Sequence, residues 1–226
     1  MARIKKHRLF STALLFVIFL FPLRSVGEKH EESNGFDEFW QELYVYSSPN
    51  ERITLGLLLN NLYAFPVGKY DWFIEGGVKY KVNNWLEAEA IYRQEYIKTE
   101  GIWTYENRPM LRIGGRKNVG IWRIKNRHRF EMRHFEKIPT RFRYRTDVKV
   151  LPILNITTWN LNPYVQEELF VSEGRISRIR SYLGIIGKKG IIEPSAYFLI
   201  QTKLHGRMSK NNLICGICLG LELSKI

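Results

Sequence analysis

Few residues in this chain have the type and spacing that chemistry requires. Cys215-Gly216-Ile217-Cys218 matches a redox pair or half of a zinc site. A reactive pair sits at a helix start that stabilises the thiolate, and a structural zinc needs two further ligands. This pair lies instead in an apolar alternating run of Leu213, Cys215, Ile217, Leu219, Leu221 and Leu223. Residues three apart on a strand face opposite sides, so both cysteines read as packing residues. The histidines form no HExxH, and neither a GxSxG nor a phosphate-cradling glycine loop occurs. A lipid-modifying enzyme or protease would need His134 to act as a base on a nearby serine or carboxylate. The sequence shows no such arrangement, and no catalytic residue, metal or cofactor is assigned.

The charged residues are more regular. From Ile121 to Phe135, Arg123, Lys125, Arg127, Arg129, Glu131 and Arg133 share one parity, while Trp122, Ile124, Phe130 and Met132 share the other. On an extended strand these sets point to opposite faces. The next segment repeats the pattern, with Arg141, Arg143, Arg145, Asp147 and Lys149 alternating with Phe142, Tyr144, Val148 and Val150. Arg178, Arg180 and Tyr182 continue it, and Glu75, Glu87, Glu89, Glu95, Glu168, Glu193 and Glu222 fall on matching parities.

The elements carrying these faces are segments of about ten residues, rich in aromatic and β-branched side chains. Turn signals at Ser48-Pro49-Asn50, Pro66-Val67-Gly68, Asn83-Asn84, Gly114-Gly115, Ile138-Pro139, Ser172-Glu173-Gly174, Lys188-Lys189-Gly190 and His205-Gly206 separate them. Eleven strands are expected, beginning near residues 38, 51, 70, 85, 105, 119, 140, 161, 176, 190 and 212. Single-chain bacterial membrane barrels usually have an even number. The count is therefore expected to resolve to ten, if the first segment does not span, or to twelve, if Pro163 marks a missed turn.

A water-soluble barrel also alternates, with its charge outward. Three features favour the inverse, with lipid outside and charge inside. The segments suit tilted strands that cross hydrocarbon. All six tryptophans (Trp40, Trp72, Trp85, Trp103, Trp122, Trp159) fall near strand starts, as interfacial girdles require. Short turns also alternate with longer ones.

The N-terminus supports export. Residues 1–27 have a basic opening (Arg3, Lys5, Lys6, Arg8), an apolar stretch from Leu9 to Leu23 and a small-x-small ending at Ser25 and Gly27. That is signal-peptide architecture. Residues 28–37 read as a flexible lead, and 38–226 as the barrel domain. The formal charge is +13, and loss of the export segment removes five bases and no acid, leaving 30 against 22, or +8. The remaining excess is spread over strand faces and matches no nucleic-acid-binding module.

Asn107-Arg108-Pro109, then Asn126-Arg127-His128-Arg129-Phe130-Glu131-Met132-Arg133 and Arg141-Phe142-Arg143-Tyr144-Arg145, followed by Glu167-Glu168-Leu169-Phe170, Arg180-Ser181-Tyr182-Leu183-Gly184 and Tyr197, form an ordered set. On these residues the chain resembles the bacterial domain-of-unknown-function family of small outer-membrane β-barrels numbered 2490, over roughly residues 38 to 223. The resemblance implies fold and location, and brings no catalytic residue. One departure is the ending Leu223-Ser224-Lys225-Ile226, where many outer-membrane barrels carry a terminal aromatic residue.

The expected fold is thus all-β, a single closed antiparallel transmembrane barrel of about 10–12 strands. Glu87, Glu89, Arg123, Arg127, Arg129, Glu131, Arg133, Arg141, Arg143, Arg145, Glu168 and Arg180 are expected to line its interior. The expected function is structural or binding, with a charged and largely plugged interior; a narrow anion-attracting pore is the alternative, and a lipid-modifying enzyme or protease a further one. The expected partners are outer-membrane lipid and, during biogenesis, the barrel-assembly machinery, with no nucleic acid and a monomeric state.

Overall fold

The computed structural model describes residues 36–65, 67–154, 157–205 and 208–223. The expected export segment 1–27, most of the expected lead and Ser224-Lys225-Ile226 lie outside these residues. The described chain is all strand and turn: β1 (Glu38–Ser47), β2 (Ile53–Ala64), β3 (Gly68–Lys81), β4 (Leu86–Thr99), β5 (Ile102–Val119) and β6 (Trp122–Phe135), then β7 (Arg141–Pro152), β8 (Asn162–Ser172), β9 (Arg175–Ile186), β10 (Ile192–His205) and β11 (Met208–Glu222). Each strand pairs with its sequence neighbour, and β1 with β11 closes the barrel. All pairings are antiparallel except the parallel closure.

The eleven expected strands are present, and the expectation of ten or twelve is corrected. The even-number rule assumes that the first and last strands meet antiparallel, whereas here they run the same way. β1 is fully paired on both sides, from Glu38 to Tyr46 on β11 and from Glu38 to Ser47 on β2. No turn hides at Pro163, which is the second residue of β8 and stands opposite Ile185. A strand tolerates proline near its start.

Gly114-Gly115 is a second correction. The pair does not turn the chain; it lies within β5, which runs for 18 residues. Gly114 faces Arg127 across the sheet, and a Cβ there would come 3.3 Å from Glu87 Cγ. Glycine in a strand interior marks a close approach as often as a turn. Turns missed in the sequence include Gly120-Ile121, which joins β5 to β6, and Glu100-Gly101, where both residues have positive φ (52° and 85°) and join β4 to β5. Glu173-Gly174 repeats this geometry between β8 and β9. Positive φ at both central residues is the type I′ hairpin, whose twist matches the flanking strands.

Alternation sorts the side chains as the pleat requires. Phe142 (69% exposed) and Leu183 (60%) stand on the outer surface with Leu55, Leu57, Phe130 and Ile200, while Arg108, Glu131 and Glu168 (each 2%) are enclosed. Leu219 shares the outward parity and is covered by its neighbours. Trp85, Trp103 and Trp122 are exposed at or near strand starts, and Trp72 stacks on Tyr96 at 4.4 Å. Trp40 departs from the expected girdle. It belongs to an interior apolar cluster with Leu62, Phe73, Leu199 and Ile214, and its Nε1 donates to Glu38 at 2.9 Å. Its place at the third position of β1 gives it the inward parity, and that outweighs the interfacial preference of tryptophan.

Candidate functional site

The inward faces of β3 to β9 carry a lattice of ion pairs. On β3, β4 and β5 it runs as one chain. Arg112 bonds Glu89 at 2.7 Å and Glu75 at 3.3 Å, and Arg93 bonds Glu75 at 2.6 Å and Glu95 at 3.4 Å. Arg108 then joins Glu95 to Glu106, both at 2.6 Å, and Arg133 on β6 closes on Glu106 at 2.7 Å. A second group lies on β6 to β9. Glu131 receives Arg143 at 2.6 Å, Arg145 at 3.0 Å and Arg129 at 3.7 Å. Arg145 also holds Glu168 at 2.5 Å, and Glu168 meets Arg180 at 3.6 Å.

The spacing follows from register. Arg129 stands opposite both Arg112 and Arg145, which puts three guanidinium groups in one row across β5, β6 and β7. Like charges directly opposite destabilise a sheet. Glu89, opposite Arg112 in the same row, and Glu131 and Glu168, one inward position to either side, offset it. Aromatic rings add to it: Phe170, 1% exposed, has the guanidinium carbons of Arg145 and Arg180 at 4.3 and 4.8 Å from its centroid, and Arg93 lies 3.5 Å over Phe73.

Most of the residues expected inside meet partners there. Glu89, Arg127, Arg129, Glu131, Arg133, Arg143, Arg145, Glu168 and Arg180 are ion-paired and buried or half-buried, with Arg127 on Asp147 at 2.9 Å. Glu87 lies 3.8 Å from Lys79 near the rim, and Arg123 donates to Asn118 at 3.2 Å. Arg141 is exposed at the start of β7. Glu106, Arg108, Arg93 and Arg112 were missed. For the three on β5 the signal was present as Glu106-x-Arg108-x-Met110-x-Arg112 at period two, but the false turn at Gly114-Gly115 cut that strand short; Arg93 shares the parity of Glu87, Glu89 and Glu95 on β4.

A separate cluster closes the barrel. Tyr197 donates to Glu42 at 2.5 Å, and Tyr46 donates to Glu193 at 2.8 Å. Lys188, between β9 and β10, bonds Glu193 closely and Glu222 at 3.0 Å. Burial opposes the charged form of Lys188, but its bonds to the two carboxylates outweigh this and hold the ammonium above the usual lysine range. Cys215 and Cys218 carry free thiols, and their three-residue spacing puts them on opposite faces of β11. His128 Nδ1 pairs with the Tyr144 hydroxyl at 2.5 Å, and His134 Nδ1 with Thr140 at 2.8 Å. Among the described residues, no group of three or more His, Cys, Asp or Glu is placed to hold a metal.

A closed eleven-stranded sheet with apolar side chains outward and ion pairs inward defines a β-barrel protein with a charged interior. The chain belongs to the family described as "Protein of unknown function (DUF2490)", whose model matches residues 37–188. Among solved structures it is similar to the β-domain of the Bordetella autotransporter BrkA, at 13% identity and a TM-score of 0.51, over 74% of this chain and 82% of that one. At that identity the likeness is one of fold. Comparison with curated proteins finds no match.

Proposed function

We propose that the protein is an outer-membrane β-barrel, exported by a signal peptide over residues 1–27 that is cleaved ahead of Glu28, with outer-membrane lipid as its surroundings. Its interior is plugged, and it serves as a structural or binding protein. The observation that carries this reading is the inversion of the two faces. Large apolar side chains ring the outside, and the charge lattice fills the inside. Water-soluble monomers rarely expose apolar patches beyond a few hundred Å². In lipid such a belt is the favourable surface, and a closed barrel leaves no unpaired edge.

The plugged state follows from the lattice. Arg108 is enclosed with its partner Glu106, and Glu131 and Glu168 are enclosed on either side of Arg145, so opening a channel through them would strip charges of their partners. Fractionation with N-terminal sequencing tests the location. The mature chain is expected in the outer membrane, heat-modifiable on gels and beginning near Glu28; recovery in the soluble periplasm would overturn the assignment. Reconstitution in planar bilayers tests the plug, and no steady current is expected. Anion-selective conductance weakened by Arg127→Glu or Arg143→Glu would replace the plugged reading with that of a pore.

A further inference from the structure

The charge balance of the interior fails at one rim, where β2, β4, β6, β8 and β10 begin. One step beyond the row of Gly114, Arg127 and Asp147, register sets Arg116 opposite Lys125 and Lys125 opposite Lys149, three cations across β5, β6 and β7. The deeper row of Arg112, Arg129 and Arg145 has the same like-charge geometry, but Glu75, Glu89, Glu131 and Glu168 compensate it. Among the described residues, no carboxylate forms an ion pair with Arg116, Lys125 or Lys149. Arg116 Nε reaches only the Asn84 carbonyl at 3.4 Å, and Lys149 Nζ rests 3.4 Å from the Tyr164 ring centroid.

A cavity of about 290 Å³ opens at this place. Six cationic side chains and two carboxylates line it, for a net of +4. Lys79, Lys81, Lys125 and Arg127 face it from strands β3 and β6, and Thr54 adds a hydroxyl. One of the carboxylates, Glu87, lies 3.8 Å from Lys79. Arg127, which lines the cavity, is itself paired with Asp147 at 2.9 Å.

We propose that this mouth is a binding site for a phosphate-type oxyanion, held by Lys79, Lys125 and their cationic neighbours. Ammonium groups are compact point charges with three donors each, suited to a dianionic phosphate. Such an anion supplies the charge that the glutamates supply one layer down, and turns the repulsion between Arg116 on β5 and Lys125 on β6 into attraction. The cavity lies at the small end of ligand sites, whose volumes begin near ~300 Å³. It suits one phosphate group with little attached inside the mouth. That phosphate can be free in solution or belong to a lipid headgroup at the membrane surface. The site requires only the folded barrel and stands apart from the location proposed above.

The test uses the full mature barrel, folded in a nonionic detergent at low ionic strength. Inorganic phosphate is titrated by calorimetry, in parallel with short-chain dioctanoyl phosphatidic acid and, as a control, dioctanoyl phosphatidylcholine. Saturable binding of one phosphate per barrel is expected, weakened at least tenfold in Lys79→Gln/Lys125→Gln and unchanged in Arg175→Gln at the opposite rim. Lys125→Gln is expected to fold and, without phosphate, to melt no lower than the parent, because it removes a like-charge contact. Binding of inorganic phosphate assigns a soluble source, and binding of phosphatidic acid alone assigns a lipid headgroup. If neither binds, or if Lys79→Gln/Lys125→Gln binds as well as the parent, the proposal is wrong.

Discussion

Replacing Glu131 by glutamine removes one charge from the interior and leaves the shape nearly intact. Glu131 is 2% exposed and receives three arginines, at 2.6 Å (Arg143), 3.0 Å (Arg145) and 3.7 Å (Arg129). Arg145 keeps Glu168, whereas Arg129 and Arg143 have no second ion pair among the described residues. Breaking a buried pair from one side costs about 3–5 kcal/mol, because a charge is left enclosed without its partner. Against a typical stability of about 5–15 kcal/mol, that is about a fifth of the total or more. The measurement is the urea midpoint of the barrel refolded in detergent, followed by gel mobility and tryptophan fluorescence. Adding Arg143→Met to Glu131→Gln takes away one orphaned cation, and a coupling of about 0.5–3 kcal/mol should appear between the two changes. Glu87→Gln is the contrast. Its side chain is 38% exposed and 3.8 Å from Lys79, so the loss should be about 0–1 kcal/mol. If Glu131→Gln costs less than about 0.5 kcal/mol, the range of an ordinary surface change, the interior is wet enough to screen its ions. Such an interior would not be plugged.

Two further substitutions probe the packing. Phe170→Ala should cost about 3–5 kcal/mol, the range for deleting a buried aromatic ring, since Phe170 is 1% exposed among guanidinium groups. A shift in the urea midpoint no larger than that of Phe142→Ala on the outer face would count against it. Gly184→Ala should cost about 1–3 kcal/mol through overpacking, because its Cβ would come 2.6 Å from Tyr164 Cζ. Tyr164→Ala in the same chain should make the added methyl harmless, and equal losses in both backgrounds would refute the steric account.

What could be read in the sequence depended on whether a strand's alternation ran unbroken. β6 and β7 carry charge on every second residue from Arg123 to Arg133 and from Arg141 to Lys149, so their faces and much of the ion-pair lattice were legible. The acids that neutralise them were only partly so. Glu106 and Arg108 lie in β5, whose glycine pair imitates a turn, and Pro109 interrupts the periodic reading although it stands in register with Tyr92. Trp40 misled for a different reason: a tryptophan near a strand start suits either an interface or a core, and only the parity of β1 decides. Tyr197 and Glu42 are 155 residues apart, and nothing local in either strand announces their bond. The uncompensated cations at the mouth were visible singly, but their isolation depends on where the glutamates of other strands end.

The odd strand count changes what must hold the barrel closed. With eleven strands β1 and β11 run parallel, and parallel bonds are slanted and slightly weaker per residue than antiparallel ones. β1 is also the shortest strand, at 10 residues. The weakest edge therefore coincides with the closing one, and side chains reinforce it. Tyr197 lies on β10, opposite Gly216 of β11, and Gly216 is in turn opposite Trp40 of β1. Because Gly216 has no side chain, the Tyr197 ring lies flat across β11 and its hydroxyl reaches Glu42 on β1. A bond from β10 to β1 thus spans the seam without depending on the parallel ladder. Glu38 repeats the idea at one end, taking bonds from Asn212 on β11 at 2.8 Å and from Tyr70 on β3 at 2.6 Å. Tyr70 turns inward because the register of β2 and β3 slips there, so the bulge adds an inward donor where the pleat would have pointed one outward. At the other end Tyr46 on β1 reaches Glu193 on β10, and Lys188 ties Glu193 to Glu222 on β11. The same tyrosine-over-glycine contact recurs away from the seam, with Tyr164 over Gly184 and Tyr44 over Gly56. Large rings opposite glycines are a general means of filling a curved sheet. At the seam the ring also carries a hydroxyl to the far strand, which allows a parallel closure to hold where the even-numbered rule would have excluded it.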